Sequence, residues 1–189
     1  MQPRMKEKFV GEVTPKVMSQ FSLKNKLQAP TLQKIVLSVG MGKQLEGTKL
    51  NPKAREQVIK DLTLISAQKP VMRKATKSVA NFKVRAGYEV GCCVTIRGRR
   101  MWEFYDRLVS LAIPRIKDFR GVSDTAFDGR GNYSFGVQEQ GIFPEVDMTE
   151  AFFTHGMNIT MVFKNSTDEM TKYALTEMAF PFRKKDDRR

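Results

Sequence analysis

Tyr88-Glu-Val-Gly-Cys-Cys-Val-Thr-Ile-Arg97 is the stretch that decides the fold. Tyr88, Val90, Cys92, Val94 and Ile96 share one face of an extended chain, and Glu89, Gly91, Cys93, Thr95 and Arg97 share the other. Side chains of a strand point alternately to opposite faces. The segment therefore predicts a strand with one face on a core and one face toward water or a polar partner. Thr31 to Val39 repeats the pattern upstream, with Ile35, Leu37 and Val39 inside and Lys34, Val36 and Ser38 outside. Asn132 to Val137 and Met157 to Phe163 read as two further strands.

Helical spacing fills the gaps between these strands. Phe9, Val13, Val17 and Phe21 fall four apart and predict a helix over Met5 to Leu23, within an N-terminal helical segment spanning residues 5–30. Pro15 interrupts it, and Thr14-Pro15 reads as a cap and first-turn proline at which the helix restarts. Gly40, Gly42 and Gly47 mark a loop. Asn51-Pro52 then opens a helix whose stripe is Ala54, Val58, Leu62 and Ile65, ending near Gln68. After Gly98, residues Met101, Trp102, Tyr105, Leu108, Val109 and Ala112 predict an amphipathic helix stopped by Pro114. Gly121 to Gly131 reads as loop. Ser166-Thr-Asp-Glu169 has the spacing of a capping box for a last helix carrying Met170, Tyr173, Ala174 and Met178. This order predicts an α+β chain of one 189-residue domain: a mainly antiparallel sheet, helices packed on one face, the other face open.

Composition narrows the function. There are 33 Lys+Arg against 20 Asp+Glu, a net charge of +13 and a pI near 9.9, on a chain that is 41% apolar and therefore folded. Such an excess calls for a polyanionic partner, nucleic acid or an acidic membrane surface. Met1 to Val10 has no apolar run of the secretory type, and no segment has the roughly 20 apolar residues of a membrane span. Cys92 and Cys93 are the only cysteines; adjacent, they build no disulfide framework and point to a reducing compartment, the cytoplasm. Cys92 reads as a buried small hydrophobe, and Cys93, on the polar face, as a free thiol at a packed interface and not a reactive nucleophile. One His and two Cys make no tetrahedral zinc site without carboxylates, and His155, before Gly156, reads as a turn residue. Gly40-Met-Gly-Lys43 is followed by Gln44 and lacks the spacing of a phosphate loop. Among Asp124, Asp128, Glu139, Glu145 and Asp147 nothing selects a catalytic pair. No enzyme activity, metal, cofactor or small-molecule substrate is expected.

The charge is unevenly spread. From Leu62 to Tyr88 there is no acidic residue, yet Lys69, Arg73, Lys74, Lys77, Lys83 and Arg85 lie there, with Asn81 and Phe82 in their midst. The stretch lacks sustained apolar periodicity and predicts a long basic loop over residues 69–87. Cations beside amides and hydroxyls suit phosphate and 2′-OH contacts, and Phe82 either stacks on a base or tucks into the core. Secondary basic clusters are Arg97-Gly-Arg-Arg100, Arg115 to Arg120 and the tail, residues 183–189.

Longer motifs carry a family likeness. Ile65-Ser-Ala-Gln-Lys-Pro70, Lys77-Ser-Val-Ala-Asn-Phe-Lys83, Arg85-Ala-Gly-Tyr88, Val94-Thr-Ile-Arg-Gly98 and Arg100-Met-Trp-Glu-Phe104 stand in sequence. Pro114-Arg-Ile-Lys-Asp-Phe-Arg-Gly121, Phe127-Asp-Gly-Arg-Gly-Asn-Tyr133, Phe143-Pro-Glu145 and Phe180-Pro-Phe182 continue the series. Together they resemble large-subunit ribosomal protein five in its bacterial form, the 5S rRNA-binding protein of the central protuberance. The resemblance implies a structural ribosome component that binds 5S rRNA on its open sheet face and reaches P-site tRNA with its basic loop. Large-subunit rRNA and neighbouring ribosomal proteins of the central protuberance are implied as further partners, with no membrane role. The implied 5S rRNA positions are Ser38, Gln68 and Thr95, with Lys34 and Arg97 adding phosphate contacts. The implied tRNA-contacting loop carries Arg73, Lys74, Lys77, Ser78, Asn81, Phe82 and Lys83. The family commonly has Asn at position 38, Lys at 93 in some members, and Gly at 81, where this chain has Ser38, Cys93 and Asn81.

Overall fold

Alternation builds the strands where it was expected. In the computed structural model, which describes residues 2–47 and 49–183, the strands are β1 (Thr31–Gly40), β2 (Leu45–Glu46), β3 (Lys49–Leu50), β4 (Val71–Lys74), β5 (Glu89–Ile96), β6 (Tyr133–Val137) and β7 (Met157–Lys164). The helices are α1 (Arg4–Lys8), α2 (Thr14–Gln20), α3 (Pro52–Ser66), α4 (Gly98–Arg107) and α5 (Asp168–Glu177). The fold is α+β, with a five-stranded antiparallel sheet in the order β4-β5-β1-β7-β6. Of the basic tail, only Arg183 lies within the described residues. Ile35, Leu37 and Val39 of β1 are buried, while Lys34, Val36 and Ser38 between them are half-buried. Tyr133, Phe135 and Val137 of β6, and Met157, Ile159, Met161 and Phe163 of β7, are buried in the same alternating way. Among the described residues no helix is long and apolar enough to cross a membrane.

Chain contacts gather into two compact units: one holds residues up to Ile35, Arg97–Phe135 and the chain from Thr160 on; the other holds Val36–Ile96 and Gly136–Ile159.

In the first unit the prolines behave differently from expectation. Thr14 is not a cap at a restart: its φ of −57° and ψ of −47° are helical, and the helix runs through Pro15. Pro15 has no N–H, and its ring would press on the carbonyl four residues back. A π turn at Phe9–Val13 widens the ladder just before it, with the Thr14 backbone N–H and its hydroxyl, at 2.8 Å, both donating to Phe9 O. The same device recurs at the second proline. A π turn at Leu108–Ala112 extends α4, the Ile113 N–H donates to Leu108 O, and Pro114 sits within a closing 3₁₀ turn, Ile113–Arg115, and not beyond the helix. Both helical segments pack together: Phe9 and Trp102 lie 5.2 Å apart between ring centroids, and Arg4 grips Asp106 through Nε at 2.7 Å and Nη2 at 2.6 Å.

The last helix is capped one residue later than the expected box. Thr167 accepts from the Met170 N–H at 3.4 Å, while Ser166 Oγ turns to Thr171 Oγ1 at 2.6 Å. Asp168, at the helix start, accepts from the backbone N–H groups of Gly129 at 3.0 Å and Gly131 at 2.7 Å, which fixes the loop leading into β6. Phe127, Tyr133, Phe135, Phe180 and Phe182 close this unit as an aromatic cluster, ring centroids 4.8–5.6 Å apart in its tighter pairs.

In the second unit Asn51 caps α3 as its sequence requires, accepting from the N–H groups of Lys53 at 2.9 Å and Ala54 at 3.4 Å, with Pro52 in the first turn. Ala54, Val58, Leu62 and Ile65 are buried, and α3 packs against β5. The glycine loop after β1 contains a short hairpin, β2 with β3, that the sequence did not announce. His155 is a pin more than a turn residue: it is buried, its Nε2 lies 3.1 Å from Asp61 Oδ2, and its backbone N–H donates to Gln140 Oε1 at 2.7 Å. Gln57 and Gln140 both donate to Phe153 O, at 2.7 and 3.0 Å. Four polar side chains thus hold the segment before β7 against α3.

Not every buried polar atom is satisfied: the Tyr105 hydroxyl and His155 Nδ1 have no hydrogen-bond partner. Tyr105 is fully buried in the first unit, its hydroxyl has no hydrogen-bond partner, and burial pushes its ionisation far up. Removing an unpaired buried hydroxyl removes a desolvation cost of about 1–3 kcal/mol. Tyr105→Phe is expected to leave stability unchanged or raise it, read as the midpoint of a urea titration at constant slope; a fall of the midpoint would mean the hydroxyl finds a partner.

Candidate nucleic-acid interface

In the second unit, alternation turns Ser38 of β1 and Thr95 of β5 away from the buried residues on either side of them. The Met41 N–H donates to Val90 O at 3.0 Å, which sets the end of β1 beside the start of β5. A Cβ at Gly91 would lie 3.0 Å from Val39 O, so glycine permits the backbones to close there. Ser38 on β1 and Thr95 on β5 are half-buried between fully buried neighbours, and neither hydroxyl has a hydrogen-bond partner among the described residues. Gln68 follows the left-handed Ala67 (φ 51°) that ends α3. Its backbone N–H donates to Ser66 Oγ at 3.3 Å, so the main chain is fixed and the half-buried side chain is left for outside contacts. In the first unit, Lys34 is half-buried on β1, and Arg97 is exposed in the extended residue (φ −137°, ψ 167°) that precedes α4.

Cys93, on the strand face expected to be polar, is a free thiol under a packed neighbour. It is 8% exposed, because residues 71–74, expected as loop, form β4 and pair antiparallel with β5, Val71 opposite Cys93 and Met72 opposite Cys92. β4 is an edge strand whose side chains are mostly exposed, so it has no apolar alternation to betray it. Arg73, placed by sequence in the basic loop, extends from β4 and donates from Nε to Cys93 Sγ at 2.9 Å.

Beyond β4 the basic stretch is a narrow finger. Ala75 and Tyr88 continue the pairing through the Ala75 N–H to Tyr88 O at 2.8 Å, and Val79 and Val84 exchange both backbone hydrogen bonds, at 2.9 and 3.1 Å. A 3₁₀ turn, Ala80–Phe82, makes the tip, and Lys83 takes the left-handed conformation (φ 52°) that closes it. Asn81 is therefore in the helical turn, and the residue bearing the positive φ is Lys83. Ser78 Oγ accepts from the Ala86 N–H at 3.0 Å and braces the two sides. Phe82 is 74% exposed, which overturns the alternative that it tucks into a core. Lys74, Lys77, Lys83 and Arg85 are exposed, and no carboxylate pairs with them among the described residues. The structure thus brings Lys77, Ser78, Asn81, Phe82 and Lys83 together in the finger and leaves Arg73 and Lys74 on the strand at its base. The two valines flanking the tip were the available sequence sign of this hairpin. Among the described residues no group of three or more His, Cys, Asp or Glu could hold a metal ion.

Comparison with known proteins matches residues 25–85 to the family described as ribosomal protein L5, and residues 89–182 to the C-terminal part of the same ribosomal family. The chain belongs to the ribosomal protein L5 family. The large ribosomal subunit protein uL5 of Syntrophomonas wolfei is 45% identical over 180 residues, covering 95% of this chain and 99% of that one. The same-named protein of Tropheryma whipplei (strain Twist) is 47% identical over 182 residues, covering 96% and 97%. L5-family membership, in its bacterial form, makes the chain a structural constituent of the large ribosomal subunit in the cytoplasm, a component of translation and not an enzyme.

Within this family setting the two thiols have no catalytic duty, and their environment keeps one of them inert. Burial pushes the Cys92 thiol up to about 11, with the neighbouring Cys93 adding to the shift. Only the thiolate attacks alkylating reagents. Cys92 is expected to stay unmodified by iodoacetamide in the native protein at neutral pH and to react in urea, as read by peptide mass spectrometry. Equal rates in the two conditions would contradict this burial.

Proposed function

We propose that this chain binds 5S rRNA and, through its finger, P-site tRNA. The observation that carries the first half is the pair of half-buried hydroxyls, Ser38 and Thr95, left without internal partners. Hydroxyls and amides held on strands recognise RNA by shape and by its 2′-OH groups. Ser38, Thr95 and Gln68 read the RNA surface; Lys34 and Arg97 neutralise phosphate. Ser38 offers one hydroxyl where the family commonly has an amide, so it makes a shorter, single contact. The neutralising cations make the affinity fall with salt. Thr95→Trp is expected to lower 5S rRNA affinity at least about tenfold, or ~1.4 kcal/mol, at fixed salt. The thermal midpoint stays within a few degrees. Filter binding with unchanged affinity would remove Thr95 from the site.

The finger supports the second half. Its cations are free to meet phosphate, and an exposed Phe82 stands among them as a stacking surface for a base or sugar. Deleting residues 77–83 is expected to leave 5S rRNA binding and subunit assembly intact while P-site tRNA dissociates faster from purified ribosomes. Loss of 5S affinity in the deletion would instead assign the finger to 5S rRNA.

A further inference from the structure

One basic cluster picked out in the sequence, Arg115 to Arg120, has no part in either proposed contact, and the fold joins it to a distant segment. Within the first unit, the Val122 N–H donates to Pro181 O and the Arg183 N–H donates to Val122 O, both at 2.9 Å. Val122 and Phe182 form a parallel bridge. Gly121 (φ +93°) makes this closure possible: a Cβ there would stand 2.6 Å from the backbone N and Cα of Arg183. The consequence is that Arg120 and Arg183, far apart in sequence, flank one backbone crossing. Arg115, at the end of the 3₁₀ turn, and Lys117 lead into it. All four side chains belong to exposed residues.

Their pairing state separates them from four cations of the same unit that are ion-paired. Arg4 is neutralised by Asp106, Lys16 by Glu177, Arg99 by Glu103 and Lys172 by Asp124. Arg115, Lys117, Arg120 and Arg183 have no carboxylate partner among the described residues, and the one acid inside their run, Asp118, pairs with none of them. Three of the four are arginines, whose planar fork suits two oxygens of one phosphate.

We propose that this strap is a further RNA-contact surface, which takes the phosphodiester backbone of a double-stranded RNA segment. It needs neither Ser38 and Thr95 nor the finger, and so does not depend on the 5S or tRNA reading. The strap gives no base-edge readout; it supplies backbone positioning, the share of protein–RNA contact that carries affinity and salt dependence.

The experiment titrates the full-length protein against a generic A-form RNA duplex, free of 5S sequence, across a salt series. Arg120→Ala with Arg183→Ala is expected to flatten the slope of log affinity against log salt by about 1.5–2, the loss of two phosphate contacts. Lys16→Ala with Arg99→Ala removes the same two charges from ion-paired positions and is expected to move the slope less than half as far. Equal shifts in the two double variants would show that net charge alone is being read, and would overturn the strap. If the first double variant melts early, Arg115→Ala with Lys117→Ala tests the same face without touching the closure. A strap variant that keeps duplex binding but loses binding to polyglutamate assigns the face to an acidic protein, and overturns the RNA assignment. Because the duplex carries no 5S sequence, failure of the 5S reading leaves these outcomes unaffected.

Discussion

The two-residue period of the β-strand is the constraint from which the rest follows. Once Ile35, Leu37 and Val39 are committed to a core, Lys34, Val36 and Ser38 have to face away from it. The same holds on β5, where Val94 and Ile96 are buried and Thr95 between them is not. A one-residue slip of β1 would put Lys34 and Ser38 inside and a row of branched aliphatics outside, at a cost of several kcal/mol in desolvation. Hydrophobic burial therefore fixes the register, and the register places the polar groups. A structural RNA-binding protein needs little more than this: no catalytic geometry to hold, only a stable surface of donors and acceptors.

The electrostatics work by subtraction. The excess of +13 is not spread evenly, because acids sit beside many of the body's cations: Arg4 with Asp106, Arg55 with Glu89, Lys60 with Glu150, Lys172 with Asp124. Exposed pairs of this kind contribute little to stability. Their larger effect is to cancel charge locally. The acid-free run from Leu62 to Tyr88 leaves its cations uncancelled. Self-repulsion would splay such a run if nothing restrained it, and the paired backbone of Val79 with Val84 and of Ala75 with Tyr88 is the restraint.

Legibility from sequence tracks how local each cause is. The strands β1, β5, β6 and β7, the Asn51-Pro52 cap and the apolar stripe of α3 were readable, because alternation, capping and helical spacing are decided by neighbours along the chain. The two π turns were not: Pro15 read as a break, and only packing of the helix faces, Phe9 on Trp102 among them, makes carrying the helix through it worth an irregular turn. β4 escaped because an edge strand needs pairing and not burial, so its composition resembles loop. The capping box failed by one residue, since Ser166 is claimed by Thr171 and the cap passes to Thr167. His155 read as a turn because nothing local announces Asp61, which lies 94 positions away. Of the candidate interface, the acid-free basic run was legible; the strand at its base, the exposure of Phe82 and the place of Arg73 required the fold.

Arg73 also bears on the sequence departure at Cys93. Where the resemblance implies Lys on β5 in some family members, this chain has a thiol and no charge at that point of the strand. The neighbouring strand brings a cation there. Arg73 sits opposite Gly91 in the β4–β5 register, and its Nε reaches back to Cys93 Sγ at 2.9 Å. A guanidinium thus stands over the position from which the lysine is missing. Cys93 is small enough to lie beneath it, 8% exposed, where a lysine would have to extend past. The two arrangements are electrostatically close and sterically different. A lysine is a flexible point charge on its own strand; Arg73 is a planar fork tied to a sulfur and carried by an edge strand. The charge on this part of the chain is then a property of the β4–β5 pair and not of either strand alone. That makes the edge strand, the element least visible in the sequence, a determinant of the electrostatics around the proposed RNA contacts.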